Sequence, residues 1–373
     1  MDSMDSTGKN KIGESKARNY VLLVAFIVGL CLGIIVSERA YIQRVPHTGQ
    51  PRRNLVLSQD DAVAKAPKEE TESEKQAKAD AAPPRSDLEA LLRRVAPSRE
   101  VLVAVSNRNL LWDGMLGTFG NGLKDAGVTN HVIFALDKQT DEWCHQNGLN
   151  SHIMDVEAFK AQTGTGDNHA VSAMKFGIIK YFVELGWSVM LSDVDVAVLQ
   201  NPFEHLYRDS DVEGMTDGFD ERTAYGSIEG YEDKSMGWSR YAQYYRHFNF
   251  NSGLFYLRAN ERTLHLLDRL SKRLSKETYW DQTAYNEEIF FLSHGNYKSP
   301  QVSVRVLDID MFMNSKRLFK DVRYRPQKPP KPVMVHVNYH PDKHARMKAV
   351  FNYYKHGDLH ALDPFPGGSE QGT

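Results

Sequence analysis

Asp193 and Asp195 stand one residue apart in "SVMLSDVDVAVLQNPF" (Ser188 to Phe203), otherwise one of the most apolar stretches of the chain. On an extended strand, residues two apart project to the same side, so both carboxylates can approach one ion. Burying either one unpaired is costly. A hard divalent cation removes that cost and prefers oxygen ligands, the phosphates of a substrate included. Acidic pairs are also common at solvated strand ends, so the reading needs partners elsewhere in the chain.

Three stretches supply them. "VMVHVNYHPDKHARMK" (Val333 to Lys348) places His336 in an apolar strand, with His340, Lys343 and His344 close behind. An imidazole can complete the coordination of a borderline metal such as manganese, and Lys343 can meet a phosphate as a point charge. The structural alternative is a core histidine bonded to backbone. "NSGLFYLR" (Asn251 to Arg258) offers Asn251, Ser252 and Gly253, a turn of small polar groups with close backbone approach, ahead of a strand. In "YWDQTAYNEEIF" (Tyr279 to Phe290), Asp281 suits a helix N-cap. Alternatively, Asp281 and Gln282 face a sugar at the helix start, with Tyr279 and Trp280 as a stacking surface.

These residues need a scaffold, and the pattern around them is α/β. "EVLVAVSN" (Glu100 to Asn107), "HVIFALD" (His131 to Asp137) and "SHIMDV" read as buried strands separated by helical stretches. "AVSAMKFGIIKYFVELGW" (Ala170 to Trp187) has helical spacing, includes Lys175, and leads into the strand before Asp193. Alternating strands and helices predict a mostly parallel sheet covered on both faces. Ligands of such sheets bind beyond the carboxyl ends of the strands, where Asn107, Asp137 and the Asp193/Asp195 pair fall. "EGMTDGFDERTAYGSIEG" reads as an acidic, glycine-rich loop, and "NERTLHLLDRLSKRLS" as an amphipathic helix.

The N-terminus is of another kind. Tyr20 to Val36 is an uncharged apolar run of 17 residues, preceded by Lys9, Lys11, Lys16 and Arg18. That length sits at the lower limit for a spanning helix, and Ser37-Glu38-Arg39 is a poor cleavage site. The expected organisation is a cytosolic tail at 1–19, a signal-anchor at 20–36, a stem at 37–98 and a lumenal domain at 99–373. The stem is rich in Ala, Lys, Glu and Pro, a composition unable to bury a core; a short helix, "DLEALLRRV", lies near its end. Cys31 lies in the apolar run, leaving Cys144 without a disulfide partner, and no Asn-X-Ser/Thr sequon is present. Cys144 and the stem are expected to tolerate substitution.

The 373 residues are 41% hydrophobic and 25% charged, with a net charge of -2. These values allow a real core and give no basic excess for nucleic acid. One lumenal cysteine excludes a cysteine-based zinc cluster.

Together, "LSDVDVAVLQNPF", "GMTDGFDERTAYGSIEGYEDKSMGWSRYAQYYRHFNFNSGLFYLRAN", "YWDQTAYNEEIFFLSHG" and "HVNYHPDK" resemble glycosyltransferase family 77. More narrowly, they are similar to the plant Golgi arabinosyltransferases of the reduced-residual-arabinose type. The likeness runs from about Glu100 to the end. It implies a GT-A fold, with Asp193 and Asp195 holding manganese (or magnesium) and the donor diphosphate, and His336 as third ligand. It also implies that Asn251, Ser252, Gly253, Asp281 and Gln282 line the donor-sugar and acceptor side, with Asp281 and Gln282 as the catalytic candidates. Asn107, Lys175 and Lys343 are expected as further donor or acceptor contacts. The implied reaction moves L-arabinofuranose from UDP-arabinofuranose to hydroxyproline-linked arabinosides of extensin-like wall glycoproteins, with retention. The implied setting is the Golgi membrane, as a type II protein beside other Golgi glycosyltransferases.

Two rivals differ in what they predict. A galactosyl- or xylosyltransferase keeps the fold and changes the donor, which pocket shape decides. A non-catalytic Golgi scaffold keeps the fold without turnover; a missing Asp or His336 would have favoured it.

Overall fold

The computed structural model describes residues 83–153, 167–229, 244–290 and 302–367. The tail, the apolar run at 20–36 and the stem as far as residue 82 lie outside the described residues. Among the described residues, no helix is long and apolar enough to cross a membrane.

Among the described residues there are twelve strands: β1 Glu100–Ser106, β2 His131–Ala135, β3 Ser151–Ile153, β4 Ser188–Ser192, β5 Val196–Val198, β6 Val212–Thr216, β7 Ser227–Glu229, β8 Tyr244–Arg246, β9 Phe250–Leu257, β10 Val304–Val306, β11 Phe312–Asn314 and β12 Met334–His336. Seven of them make the central sheet, in the order β10-β6-β9-β4-β1-β2-β3. Its pairings are parallel except where β9 runs against both β4 and β6. This is the expected mostly parallel α/β domain. A small second sheet, β11-β12-β5, stands beside it, and β7 pairs with β8.

Both faces of the central sheet are buried, which is why its strands read as continuous apolar runs rather than alternating ones. Along β1, Val101 and Val103 join one core and Leu102 and Ala104 the other. The first core includes Phe176, Phe182 and Trp187 from the helix Asp167–Glu184 and the turn after it. The second includes Phe119 and Leu123 of the helix Met115–Asp125 and Met347 and Val350 of the helix Lys343–Lys355.

Three sequence expectations are corrected. The short helix Asp87–Val95 is no part of a free stem: Leu88 and Leu92 are buried in the core, and Ser86 caps the helix by accepting from the Glu89 N–H. The folded unit therefore begins ahead of residue 99. The stretch from Val212 to Thr216 is a fully buried strand rather than a loop. Its Glu213 is tolerated there because its carboxylate accepts the backbone N–H groups of Tyr207 (2.9 Å) and Arg208. Asp137, read as a candidate at a strand end, caps the next helix, accepting from Thr140 N–H at 2.8 Å.

Cys144 is wholly buried, and burial, with Asp141 nearby, pushes its thiol up to about 12. Because the thiolate is the reactive form, alkylation of Cys144 at pH 8 should be negligible in the native protein and complete after denaturation, read from the mass of its peptide. The expected tolerance at this position holds only for residues of similar size, since it is closely packed core.

Candidate functional site

β4 does not carry Asp193 and Asp195 as a strand would. It ends at Ser192, and the pair sits in the turn that passes the chain into β5 of the second sheet. The alternation argument for their convergence therefore fails, and the strand registers on either side replace it. β12 runs against β5 with His336 opposite Val196, so the Val337 N–H reaches the Asp195 carbonyl at 3.1 Å. β9 runs against β4 with Leu254 opposite Ser192, so the Asp193 N–H donates to the Gly253 carbonyl at 2.7 Å. Since β9 is reversed, its early residues lie at the same sheet edge as the carboxyl ends of β4, β6 and β1. That edge collects Asn251–Gly253, Asp193–Asp195, Asp217 and Asn107.

The two aspartates and His336 offer ligand atoms that all lie within 4.8 Å of one another. His336 Nε2 is 3.0 Å from Asp195 Oδ1, and Lys343 Nζ is 2.7 Å from Asp195 Oδ2. Burial works to raise the Asp195 carboxyl, but His336 and Lys343 overcome it and hold it well below the usual range. Asp193 is the opposite case. Burial, together with the neighbouring Asp195 charge, pushes its carboxyl up against the attraction of Lys175. Its side chain accepts no hydrogen bond from the described residues.

This donor set fits a divalent cation. Two carboxylates and an imidazole suit manganese or magnesium better than a thiophilic ion, and one of the carboxylates lacks a donor. Gly253 leaves the space: a Cβ there would lie 2.4 Å from Asp193 Oδ2 and 2.6 Å from His336 Cε1. Gly253→Ala should therefore displace both ligands. Manganese affinity measured by calorimetry should fall at least ~10-fold, the scale at which mispositioned ligands cost affinity.

A cleft of ≈ 320 Å³ opens in front of the pair, lined by Asn107, Asn109, Met115, Lys175, Asp193, Asp195 and Lys343 among others. Its lining is in part apolar (Val105, Leu110, Leu191, Val194) and in part charged, a mixture suited to a nucleotide with a diphosphate. Asn107 has a second task, since its side chain caps the helix Arg108–Trp112.

Asp281 and Gln282 do not line this cleft. Asp281, 5% exposed, opens the helix Asp281–Phe290, and Lys175 Nζ lies 2.8 Å from its Oδ2. Ser252 Oγ donates to the same oxygen at 2.9 Å and accepts from Lys175 at 3.2 Å. Burial opposes ionisation of Asp281, yet Lys175 and Ser252 keep its carboxyl low, and the same pairing raises Lys175. Asn251, Ser252 and Gly253 are interior strand residues, not the turn expected. Trp280 is 60% exposed, whereas Tyr279 is engaged, with its hydroxyl on Glu287 at 2.9 Å and Arg273 over its ring. Of the remaining histidines, His344 bonds Thr118 and His340 is buried, and neither belongs to the ligand set.

Sequence reading missed Asp217. Its carboxylate accepts from Asn251 Nδ2 at 2.7 Å, Gln282 Nε2 at 2.5 Å and Asn338 Nδ2 at 3.4 Å. The Tyr339 hydroxyl faces it too, on a residue with φ 70°, a strained value for a side chain of that size. The signal was position: Asp217 directly follows β6, at the same sheet edge as the pair.

Comparison with known proteins gives the family. The sequence profile described as "Nucleotide-diphospho-sugar transferase" matches residues 126–350. Arabinosyltransferase RRA2 of Arabidopsis thaliana is 46% identical over 285 residues, 76% of this chain and 66% of that protein. Arabinosyltransferase RRA1 of the same plant is 41% identical over 284 residues, 76% of this chain and 70% of that protein. The chain thus spans about two thirds of the length of these relatives. Among solved structures, the galactosyltransferase LgtC with donor and acceptor sugar analogues aligns at a TM-score of 0.42 and 14% identity, over 69% of this chain and 96% of that one. That likeness is too loose to bear on the site. The profile covers more than half of the chain; the chain belongs to the nucleotide-diphospho-sugar transferase family.

Proposed function

We propose that this protein is a cation-dependent arabinosyltransferase. In this reading it moves L-arabinofuranose from UDP-arabinofuranose onto hydroxyproline-linked arabinosides of extensin-like wall glycoproteins. One observation carries the chemistry: Asp193 and Asp195 line a nucleotide-sized cleft, and His336 converges with them from behind its lining. The sugar rests on the two relatives named arabinosyltransferases, and the acceptor on the resemblance carried by the sequence motifs.

A divalent cation bound by the three residues would neutralise charge developing on the departing diphosphate. The chain's own residues do the rest. Lys343, half-exposed at the cleft, can turn from Asp195 to a phosphate oxygen. Lys175, held by Asp281 and Ser252, presents a fixed positive charge to the cleft. The bond between the anomeric carbon and the UDP oxygen breaks, and the acceptor oxygen bonds that carbon. The hydroxyl proton leaves with the departing phosphate.

Retention by a same-face route is favoured over a covalent enzyme intermediate. Asp281, the carboxylate to which the resemblance gives a catalytic role, is buried against Lys175 and does not line the cleft. Asp217 is occupied by side-chain amides.

Product mass tests the proposal, using manganese, a hydroxyproline-arabinoside peptide and a panel of UDP-sugars. Gain of one pentose from UDP-arabinofuranose alone supports it. Transfer of galactose or xylose instead keeps the cleft and rejects the donor. We further propose a Golgi, single-pass type II placement, resting on the apolar run at 20–36. The domain should then resist protease added outside intact Golgi vesicles; its digestion there rejects that placement.

A further inference from the structure

Asp217 touches none of the three cation ligands, yet the hydrogen bonds that run through it reach one of them. The orientation of two side-chain amides decides what it does. Asn251 Oδ1 accepts the Gly253 backbone N–H at 2.8 Å, which identifies that atom as the oxygen and turns Nδ2 toward Asp217. Gln282 Oε1 likewise accepts the Ser252 backbone N–H at 3.2 Å, which turns its Nε2 toward the other oxygen of Asp217. Only an acceptor on both sides satisfies two facing NH₂ groups, and a carboxylate is such a group.

The consequence falls on His336. Its Nδ1 lies 3.1 Å from Asn251 Oδ1, an atom that can only accept, so Nδ1 must carry hydrogen. Nε2, 3.0 Å from Asp195, is then the nitrogen whose lone pair can face a cation. We propose that Asp217 is a positioning residue that acts through Asn251 to fix His336 with hydrogen on Nδ1 and Nε2 turned to the cation site. Through Gln282 and Ser252 the same carboxylate also braces the segment that holds Lys175 and Asp281. This inference rests on the cation-site reading above and deepens it.

An exchange of residue types isolates the role. In Asp217→Asn, one NH₂ group must face another, on Asn251 or on Gln282. In Asp217→Asn with Asn251→Asp, the bonds from position 217 to Gln282 and to position 251 have a donor and an acceptor again; the long Asn338 contact at 3.4 Å does not. The new amide at position 217 receives Gln282 and donates to the new carboxylate at position 251, which still accepts from His336 and Gly253. The full chain is titrated with manganese alone by calorimetry. The His336 ring nitrogens are read by two-bond ¹⁵N–¹H correlation with zinc as a diamagnetic probe.

The single variant should bind manganese ~10- to 100-fold more weakly, as expected when a group orienting a ligand is lost. The exchanged pair should recover most of that affinity, and the wild type should show hydrogen on Nδ1 and metal on Nε2. Wild-type affinity in Asp217→Asn, or no recovery in the exchanged pair, overturns the proposal. Should the single variant fail to fold, zinc on Nδ1 and hydrogen on Nε2 of the zinc-loaded wild-type ring overturn it unaided. Absence of manganese binding by the wild type would instead count against the cation site itself.

Discussion

Asp193→Ala is expected to abolish transfer and leave the fold as stable as before, whereas Asp195→Ala is expected to abolish transfer and destabilise the fold. The sequence suggests that the two substitutions behave alike, and the geometry separates them. Asp193 is a carboxylate that burial disfavours and that accepts no hydrogen bond from the described residues. Its removal takes out of the cleft a charge that Lys175 and His336 attract but that no hydrogen bond or ion pair among the described residues holds. Asp195 is the counter-charge for a buried His336 and for Lys343. Its removal leaves the imidazole beside a cavity with its polar partner gone, a loss of about 3 kcal/mol on the scale of broken buried pairs. The Lys343 share is smaller, because that ammonium is half-exposed and water can replace the contact. Transfer should fall by at least ~10³-fold in both, since each removes an electrostatic stabiliser of the reacting charge. Thermal melting alone distinguishes them. Equal melting temperatures for the two variants would contradict the assignment of Asp195 as the paired carboxylate.

Lys175→Met should be the most destabilising single change at the site. Lys175 and Asp281 are each close to fully buried, 2.8 Å apart, and Ser252 closes the triangle. Taking the ammonium away strands a carboxylate in the interior, which costs about 3–5 kcal/mol and lowers the melting temperature by roughly 10 °C. Lys175→Met with Asp281→Asn should regain much of that loss, because the stranded charge is then gone as well. Activity should not return with stability, since the fixed positive charge facing the cleft is absent in both. A double variant that melts near wild type and transfers no sugar is the expected result. Recovery of transfer would mean that the pair serves only to hold the helix Asp281–Phe290 in place.

Much of this site could be read from residue types alone, though not always for the reason first given. Asp193, Asp195 and His336 were legible because charged residues inside apolar runs are costly and so informative. The turn that presents the aspartates was not, since the apolar run continues into β5 with no change in composition to mark the passage between sheets. Asn251, Ser252 and Gly253 look like a turn because those residue types favour turns. They lie in a strand because partners in other segments, among them Asp217, Gln282, Asp281 and His336, hold their polar groups. β6 was hidden by Glu213, whose burial is made tolerable by backbone donors from a segment that local pattern cannot place. Asp217 was obscured by the same misreading, because a residue can be placed at a strand end only once the strand is seen.

The central claim is that Asp193, Asp195 and His336 hold a divalent cation that in turn holds the donor's diphosphate. Calorimetric titration of UDP into the full chain, with manganese and then with a chelator, tests it most directly. The account predicts that UDP binds with manganese, that binding falls by at least ~10-fold in the chelator, and that His336→Ala removes most of the manganese-dependent part. UDP binding of equal strength with and without the cation, unchanged in His336→Ala, would contradict it.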